Sequence, residues 1–304
     1  MSFNRTRALN LLNRIESENG DENGMNRISK HLSNAAKSTK NDWYIAFKRL
    51  AQMARDIGNG KIGEEILSGN YSSIPFSIFA LKGNSKLPFV AFSTLPLYTC
   101  PGAGACKEWC YSLKAWRYPF AFARQLQNTL LLRHCPNAIK DSFMGLPKNI
   151  TLRLYVDGDF ESIEQVMFWW ELLESRSDIS GYGYSKSWDI LREAYDRLGY
   201  CPDNYKLNLS SGGSKQNTPE NHMKALPFVR GSFIAVKIDQ SLMIKTRFAL
   251  PEYHAAVRQA VREETGRAGF SCPGECGGCD IGGKQACGTS KQSFQGVAIA
   301  IGIH

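Results

Sequence analysis

Seven of the nine cysteines in this 304-residue chain fall into two short groups. The first group, Cys100, Cys106 and Cys110, places three thiols in one short loop. In the second group, Cys272, Cys276, Cys279 and Cys287, glycines separate the cysteines and let the backbone fold tightly enough to bring four sulfurs around one centre. Thiolates in such sets are ligands for zinc or for iron–sulfur clusters. The two groups therefore predict bound metal.

The spacing favours an iron–sulfur cluster, with structural zinc as the alternative. Zinc fingers usually pair two Cys-x-x-Cys units across a longer insert, whereas Cys272 to Cys279 is one compact run followed by a more distant fourth cysteine. Three thiolates leave one iron of a cluster open, and an open iron can take a substrate or a cofactor. We expect one or two clusters, and the spacing alone does not decide whether the two groups share one centre.

Further candidate site residues follow three predicted strands, over residues 151–156, 181–184 and 205–209. The carboxyl ends of parallel strands meet at one edge of a sheet, where α/β enzymes bind ligands. We therefore expect the residues after these strands to line one pocket. The candidate catalytic residues are Asp157 and Lys186, and the candidate cofactor-binding residues are Asp159, Ser211 and Gly212.

The acidic turn after the first of these strands has two other interpretations. Carboxylates at Asp157, Asp159 and Glu161 can bind magnesium for phosphodiester chemistry. The same carboxylates can instead stabilise the start of the next helix through capping and through their charge.

The elements that position these residues change character near residue 71. Helical spacing of apolar residues predicts an N-terminal helical appendage over residues 1–70. Two strands are predicted over residues 74–81 and 87–92, and strands and helices then alternate along residues 71–304. A later strand is predicted over residues 233–238. Because strands separated by helices pair in parallel through right-handed crossovers, we expect an α/β core with a partial or open barrel-like sheet that carries both cysteine groups.

The formal net charge of +9 favours a partner that carries phosphates. Basic and aromatic residues mix after the first cysteine group, a pattern typical either of nucleic-acid contact or of a solvated face over an aromatic core. These residues are Lys114, Trp116, Arg117, Tyr118, Arg124 and Arg133. No window approaches the roughly 20 apolar residues that span a bilayer, so a cytoplasmic protein is expected, in which clustered cysteines bind metal rather than form disulfides.

The first cysteine loop resembles that of a known superfamily. It follows an early strand, holds three close cysteines and has an aromatic residue before the last one, Trp109-Cys110. In these features it resembles the cluster loop of radical S-adenosylmethionine enzymes, although its cysteines are more widely spaced. That resemblance implies a partial α/β barrel, an open cluster and S-adenosylmethionine as a cofactor.

A longer set of motifs resembles the gene-product-eighty-eight family of phages and plasmids, over roughly residues 70 to 300. The motifs are Cys100-Pro-Gly-Ala-Gly, Trp109-Cys110-Tyr111-Ser112, Ala115-Trp116-Arg117-Tyr118, Leu152-Arg-Leu-Tyr-Val-Asp-Gly-Asp-Phe160 and Cys272-Pro-Gly. This resemblance implies a mobile genetic element as the origin of the chain and supplies no reaction.

Three functional hypotheses follow from the sequence. The first is an iron–sulfur enzyme with an open cluster on the three-cysteine loop and a second metal centre on the four-cysteine group. The second is a nucleic-acid-binding protein in which zinc or a cluster is structural. The third is a magnesium-dependent phosphodiesterase that uses the turn at Asp157 and Asp159.

Overall fold

The computed structural model describes residues 4–20, 23–68, 72–81, 89–274, 276, 279–281 and 284–303. The chain divides into two compact units. Unit 1 comprises residues 1–79, 93–96 and 111–146, and unit 2 comprises residues 80–92, 97–110 and 147–304. The turn predicted at residues 82–85 and the first two residues of the strand predicted over 87–92 lie outside the described residues.

Unit 1 is helical, and the helical N-terminus predicted from the sequence is confirmed. Its helices are α1 (Arg5–Ser17), α2 (Gly24–Lys37), α3 (Asp42–Gly58), α4 (Lys61–Ser68), α5 (Pro119–His134) and α6 (Pro136–Met144). A 3₁₀ helix over Tyr111–Arg117 precedes α5. Pro119 occupies the first turn of α5, where its missing N–H has no intrahelical partner to lose, so the α-helix starts there rather than at Tyr111.

Buried polar side chains of α5 bind the segment that was predicted to form the first strand. Gln127 accepts a hydrogen bond from the Phe76 N–H at 2.9 Å and donates to its carbonyl at 2.8 Å, while Asn128 donates to the Ile78 carbonyl at 2.9 Å. These side chains satisfy backbone groups that a strand would pair with a neighbouring strand. The predicted strand over residues 74–81 is therefore wrong, and its only β contact in the described part of the chain is the bridge at Ala80.

Glu65, in the last turns of α4, is buried and bound by the residues that follow the helix. It accepts hydrogen bonds from the Ser72 hydroxyl at 2.8 Å and from the N–H and hydroxyl of Ser73 at 3.0 and 2.8 Å. Burial raises the pKa of Glu65, but these donors and the nearby Lys61 ammonium outweigh it and hold the pKa below its ordinary value.

Unit 2 contains a seven-stranded parallel sheet, which confirms the α/β fold class. The strands of this sheet are β1 (Val90–Ala91), β2 (Thr151–Leu154), β3 (Ser180–Ser185), β4 (Tyr205–Ser210), β5 (Val229–Val236), β6 (Gly269–Ser271) and β9 (Ala298–Gly302). They are ordered β1-β2-β3-β4-β5-β9-β6, so the sheet ends at β1 and β6. Two further strands, β7 (Asp280–Ile281) and β8 (Lys284–Gln285), form a separate antiparallel pair.

The helices of unit 2 connect the strands of the sheet. They are α7 (Ile163–Ser175), α8 (Trp188–Leu198), α9 (Glu220–Lys224) and α10 (Pro251–Thr265). Since β2, β3, β4 and β5 are neighbours in chain order, the connections run in one direction across the sheet, as they do in barrels. No helix in the described part of the chain is both long and apolar enough to cross a membrane.

Side chains alternate between the two faces of the sheet and give each face a different cover. On one face, Ile234, Val236 and Ala300 pack against Tyr253 and Val257 of α10. We call the opposite face the cysteine face, because its strand residues form one cluster with cysteines of the second group. That cluster includes Tyr182, Tyr184, Phe233, Ile299, Cys272, Cys279 and Cys287.

Candidate metal centre

The three-cysteine loop is bound to the loops that follow β3 and β4. Gly212, in the loop after β4, accepts hydrogen bonds from the N–H groups of Gly104 at 3.2 Å and Cys106 at 3.0 Å. The Ser214 N–H donates to the Gly102 carbonyl at 2.8 Å, and Ala103 forms a β-bridge with Gly213. The loop is thereby fixed at the carboxyl edge of the parallel sheet.

Glycines make this contact sterically possible. A Cβ atom on Gly102 would lie 1.9 Å from the Lys186 carbonyl oxygen, and one on Gly104 would lie 2.4 Å from the Gly213 carbonyl oxygen. Gly212 has φ +76° and lies against Trp109 and Cys106. A side chain at any of these three positions would push the cysteine loop away from the sheet.

Asp159 is a buried link between the loops after β2 and β3. One of its carboxylate oxygens accepts hydrogen bonds from the Ser185 hydroxyl at 2.6 Å and from the Phe160 N–H at 2.8 Å, and the other accepts from the Lys186 N–H at 2.8 Å. Burial raises the pKa of Asp159, and the donors at Ser185 and Lys186 oppose that shift. The carboxylate is 4% exposed and bound by three donors, so its local role is to position Lys186.

The other predicted site residues lie at the same edge. Lys186 is half-buried and its ammonium donates to the Ser210 hydroxyl at 2.8 Å. The Ser211 hydroxyl accepts from the Ala235 N–H at 2.9 Å, which ties the loop after β4 to β5. Asp157 is half-buried in the loop after β2. These residues follow the expected strand ends, but of the five candidates only Ser211 and Gly212 line the groove described below, and the roles of all five stay predictions.

Cys100 lies within this network. Burial raises the pKa of its thiol well above the ordinary value, and the negative charges of Asp159 and Cys110 add to the shift. A backbone hydrogen bond at Leu97 and the Lys186 ammonium oppose it. Two cysteines of the loop, a carboxylate and an ammonium therefore act on one another at this edge.

A groove of about 540 Å³ lies beside the three-cysteine loop. Trp109 and Gly212 form one side of it, Val236 and Lys237 line it at the end of β5, and Glu263 lines it from α10. An aromatic ring, apolar side chains and charges of both signs suit a ligand with an apolar body and polar groups.

The four-cysteine group gathers against the cysteine face. Burial raises the pKa of Cys272 to about 11 and the pKa of Cys287 to about 12, and it also raises the pKa of Cys276. Cys276 and Cys279 act electrostatically on Cys272, and Cys272 acts on Cys287. Cys272, Cys279 and Cys287 therefore share one cluster on the cysteine face, and Cys276 lies near enough to Cys272 to act on it.

A fully buried cation, Arg230 of β5, lies near one of these thiols, that of Cys287. Its guanidinium donates to the Asn208 side-chain oxygen and to the carbonyls of Phe294, Val297 and Ser232. All four acceptors are neutral, and within the described residues no carboxylate pairs with Arg230. Burial lowers the pKa of Arg230, and Cys287 opposes this shift. The charge is kept inside the protein without an anionic oxygen beside it.

Two more polar groups of the cysteine face turn toward the thiols. The guanidinium of Arg153 in β2 lies 4.7 Å from the ring centroid of Tyr184. Its positive charge opposes the rise in the pKa of Cys276 and Cys287 that burial causes. The buried Tyr182 hydroxyl lies beside Cys276, acts on it as a hydrogen-bond donor that opposes the rise in its pKa, and meets no other acceptor within the described chain. A second cation and a hydroxyl donor thus face the same cysteines.

The side chains do not form a finished coordination shell. Among the residues that the structure describes, no group of three or more His, Cys, Asp or Glu side chains has a geometry that could hold a metal ion. Three thiols of the second group, those of Cys272, Cys279 and Cys287, nonetheless share one cluster on the cysteine face, and the cations Arg153 and Arg230 act on Cys287. Asp157 and Asp159 gain no separate support as a magnesium site, since Asp159 is enclosed by protein donors.

Arg230 and Arg153 were not among the candidate site residues predicted from the sequence. Arg230 interrupts the apolar run Phe228-Val229-Arg230-Gly231, and a charged residue inside a buried strand is a signal that could have identified it. The predicted strand began only at Phe233, so Arg230 was assigned to no element. Arg153 lay inside a predicted strand, but only the register with Tyr182 places it on the cysteine face.

The fold and the two cysteine groups define a cysteine-rich α/β protein built on a parallel sheet. Residues 46–245 match the family described as Gene product 88, and the chain belongs to that family. No curated protein and no solved structure matches the chain. The resemblance to radical S-adenosylmethionine enzymes receives no support from these comparisons.

Proposed function

We propose that this Gene product 88 protein is an iron–sulfur protein with a metal centre on its four-cysteine group and an open, reactive cluster on its three-cysteine loop. The observation that carries the proposal is Arg230, a fully buried guanidinium near Cys287 whose hydrogen-bond acceptors among the described residues are all neutral. A buried charge is costly unless an opposite charge balances it.

A thiolate-bound metal supplies that opposite charge. Metal binding requires the thiols to lose their protons, and four thiolates around zinc or around a cubane cluster leave a net negative charge. Arg230 and Arg153 are then counter-charges, and the Tyr182 hydroxyl can donate to a ligand sulfur. Cys272, Cys276, Cys279 and Cys287 would hold this centre.

The three-cysteine loop is the proposed reactive site because it is hydrogen-bonded to the carboxyl edge of the parallel sheet. Cys100, Cys106 and Cys110 would hold a cluster with one open iron at the carboxyl edge of the sheet, where α/β proteins bind ligands. When bound, such a cluster supplies one-electron chemistry. Lys186 and Asp157 would contact the ligand, Asp159 would hold the Lys186 backbone in place, and Ser211 and Gly212 would line the adjoining groove.

The nature of the ligand is a narrower part of the proposal. The groove beside Trp109 is lined by apolar groups and by charges of both signs, which suits a small molecule such as S-adenosylmethionine, with an aromatic base and a charged tail. This ligand can be refuted without refuting the cluster. A cluster whose spectrum does not change when S-adenosylmethionine is added would exclude the ligand and leave the proposed metal centre intact.

The test is purification without oxygen, followed by iron and sulfide analysis and by absorption and electron paramagnetic resonance spectra. We expect iron and sulfide in the wild type. Serine at Cys100, Cys106 and Cys110 together should remove the part of the signal that S-adenosylmethionine perturbs. Serine at Cys272, Cys276, Cys279 and Cys287 together should remove the remainder.

Two cysteines outside the groups provide matched controls. Cys135 and Cys201 are half-buried like most of the ligand candidates, and C135S and C201S should keep the full metal content. Zinc without iron, bound under conditions that preserve clusters, would make the metal structural and refute the enzyme. A folded protein without metal would refute both centres.

A further inference from the structure

The positive charge of the chain is concentrated in unit 1. Unit 1 carries 16 Lys and Arg against 9 Asp and Glu, whereas unit 2 carries 21 against 19. A surplus of this kind on a small helical unit attracts polyanions and gives binding that weakens with salt. The metal centres discussed above lie in unit 2, so this charge calls for a separate explanation.

Exposed aromatic and basic side chains lie together where the 3₁₀ helix of unit 1 joins α5. We call this set the aromatic–basic face; its members are Tyr111, Lys114, Arg117, Tyr118 and Phe120. Tyr111 is 51% exposed, Tyr118 67% and Phe120 43%, and both basic residues are exposed. Large rings are seldom so open to water in a short stretch, and such patches mark interaction sites.

A rigid aromatic core holds the aromatic–basic face in place. Trp116 and Phe122, on either side of the exposed rings, are buried and pack edge to face at 5.6 Å. The Trp116 indole donates to Gln125 at 3.0 Å, and Trp43 of α3 packs on Phe122 at 5.7 Å. The exposed rings are therefore presented by a fixed backbone rather than by a loose loop.

The ring of Phe120 is extended by a second fixed ring. Phe76 lies 6.0 Å from it, and both backbone groups of Phe76 are bound by Gln127. Other members of the basic–aromatic sequence pattern do not join this surface. Trp116 is buried, Arg133 pairs with Glu16 at 2.8 Å, and Arg124 is half-buried with its pKa lowered by burial.

We propose that the aromatic–basic face binds single-stranded nucleic acid, with bases stacked on Tyr118 and Phe120 and phosphates neutralised by Lys114 and Arg117. Exposed rings beside cations suit unpaired bases, which offer both a flat face and a phosphate. A duplex hides its base faces and would contact the cations alone. The proposal rests on unit 1 and does not depend on which metal unit 2 holds.

The experiment is fluorescence anisotropy of the full-length metal-loaded protein with labelled 20-nucleotide single-stranded DNA, single-stranded RNA and duplex DNA, across a salt series. We expect both single strands to bind more tightly than the duplex. Stacking on an aromatic ring is worth about 1–3 kcal/mol per base, so Y118A and F120A should each weaken binding about 5- to 150-fold. Y118F keeps the ring and should bind like wild type.

The basic residues should act differently from the rings. K114Q and R117Q should each reduce the slope of log affinity against log salt by about 0.7 for single strands. Y200A is the matched control, because Tyr200 is an exposed tyrosine of unit 2 at 41% and should leave binding unchanged.

Three results would overturn the proposal. One is no binding to either single strand at low salt. Another is equal binding to single strands and duplex with Y118A and F120A like wild type, which would mean charge attraction without stacking. The third is binding to vesicles of anionic phospholipid in the absence of binding to the oligonucleotides, which would assign the face to a membrane surface. A difference between the DNA and RNA arms identifies the natural strand.

Discussion

Replacing Arg230 by methionine tests whether the buried guanidinium balances a metal–thiolate centre. Methionine keeps an unbranched apolar stem and removes the charge and the four hydrogen bonds. The lost hydrogen bonds destabilise the metal-bound and the metal-free protein alike. Their free-energy cost therefore cancels when the metal affinities of wild type and R230M are compared. The remaining difference is the coupling between the cation and the bound centre.

The expected size of this coupling follows from the burial of both partners. Removing one member of a buried charge pair costs about 3–5 kcal/mol. Arg153 also acts on these thiols and would balance part of the negative charge after Arg230 is removed. We therefore expect a coupling free energy at the lower end of this range, about 3 kcal/mol. Since each 1.4 kcal/mol is a factor of ten, the affinity of R230M for metal should fall by roughly 100-fold or more.

The assay is titration of the metal-free protein with Co²⁺ without oxygen, with a competing chelator and the thiolate absorption band as readout. R192M is the control, because Arg192 of α8 is exposed and pairs with the exposed Asp196. R230K keeps the charge and should retain most of the affinity. If R230M binds Co²⁺ within about threefold of wild type, the counter-charge argument is wrong.

Three further predictions concern the glycine contact of the three-cysteine loop, the buried hydroxyl of Tyr155 and the stability of the protein at low pH. G102A should release the cysteine loop and speed alkylation of its thiols, while G145A, whose Cβ meets nothing closer than 3.6 Å, should not. Y155F should lower the free energy of unfolding by about 1–3 kcal/mol in urea titration, because the buried Trp169 indole loses its acceptor at 3.1 Å. Because the folded-state pKa of Glu65 is lowered, its contribution is present above about pH 4.3 and lost as pH falls through the lowered value. The urea midpoint of unfolding should therefore fall more steeply between pH 5 and 3 for wild type than for E65Q. Parallel plots of midpoint against pH for the two proteins would contradict this.

The central strands of the sheet and their parallel pairing could be predicted because the relevant signals are local. Strands predicted over residues 151–156, 181–184 and 205–209 appear as β2, β3 and β4, and they pair in parallel as the alternation with helices required. The same alternation predicted that the residues after these strands would meet at one edge. Hydrophobic periodicity and turn residues are visible within a few positions of the sequence, so they can be interpreted without knowledge of long-range contacts.

The features that could not be predicted depend on partners far away in the chain. The segment over residues 74–81 is apolar enough for a strand, but side chains of α5 some 50 positions later bind its backbone. The strand over Val229–Val236 was predicted to begin only at Phe233, because Arg230 is unfavourable inside a strand until acceptors at Phe294 and Val297 exist.

The candidate site shows the same division between near and distant causes. The cysteine spacing identified candidate ligands, and the glycines of the first group were visible in the sequence. The reason for these glycines could not be predicted, because the near-contact of Gly102 with the Lys186 carbonyl joins segments more than 80 positions apart. The three roles assigned to Asp157, Lys186 and Ser211 stay predictions until a ligand is measured.

The position of β9 has a consequence for biosynthesis. Of the seven strands of the sheet it is the last to be made, yet it lies between β5 and β6. The stretch with the second cysteine group, residues 272–297, joins β6 to β9, so its two ends are brought together only when β9 inserts. Since β6 pairs with β9 alone among the described strands, neither end of this stretch is part of the sheet until β9 inserts. If the proposed metal centre forms on the second cysteine group, its ligands can therefore take their final positions only after that step.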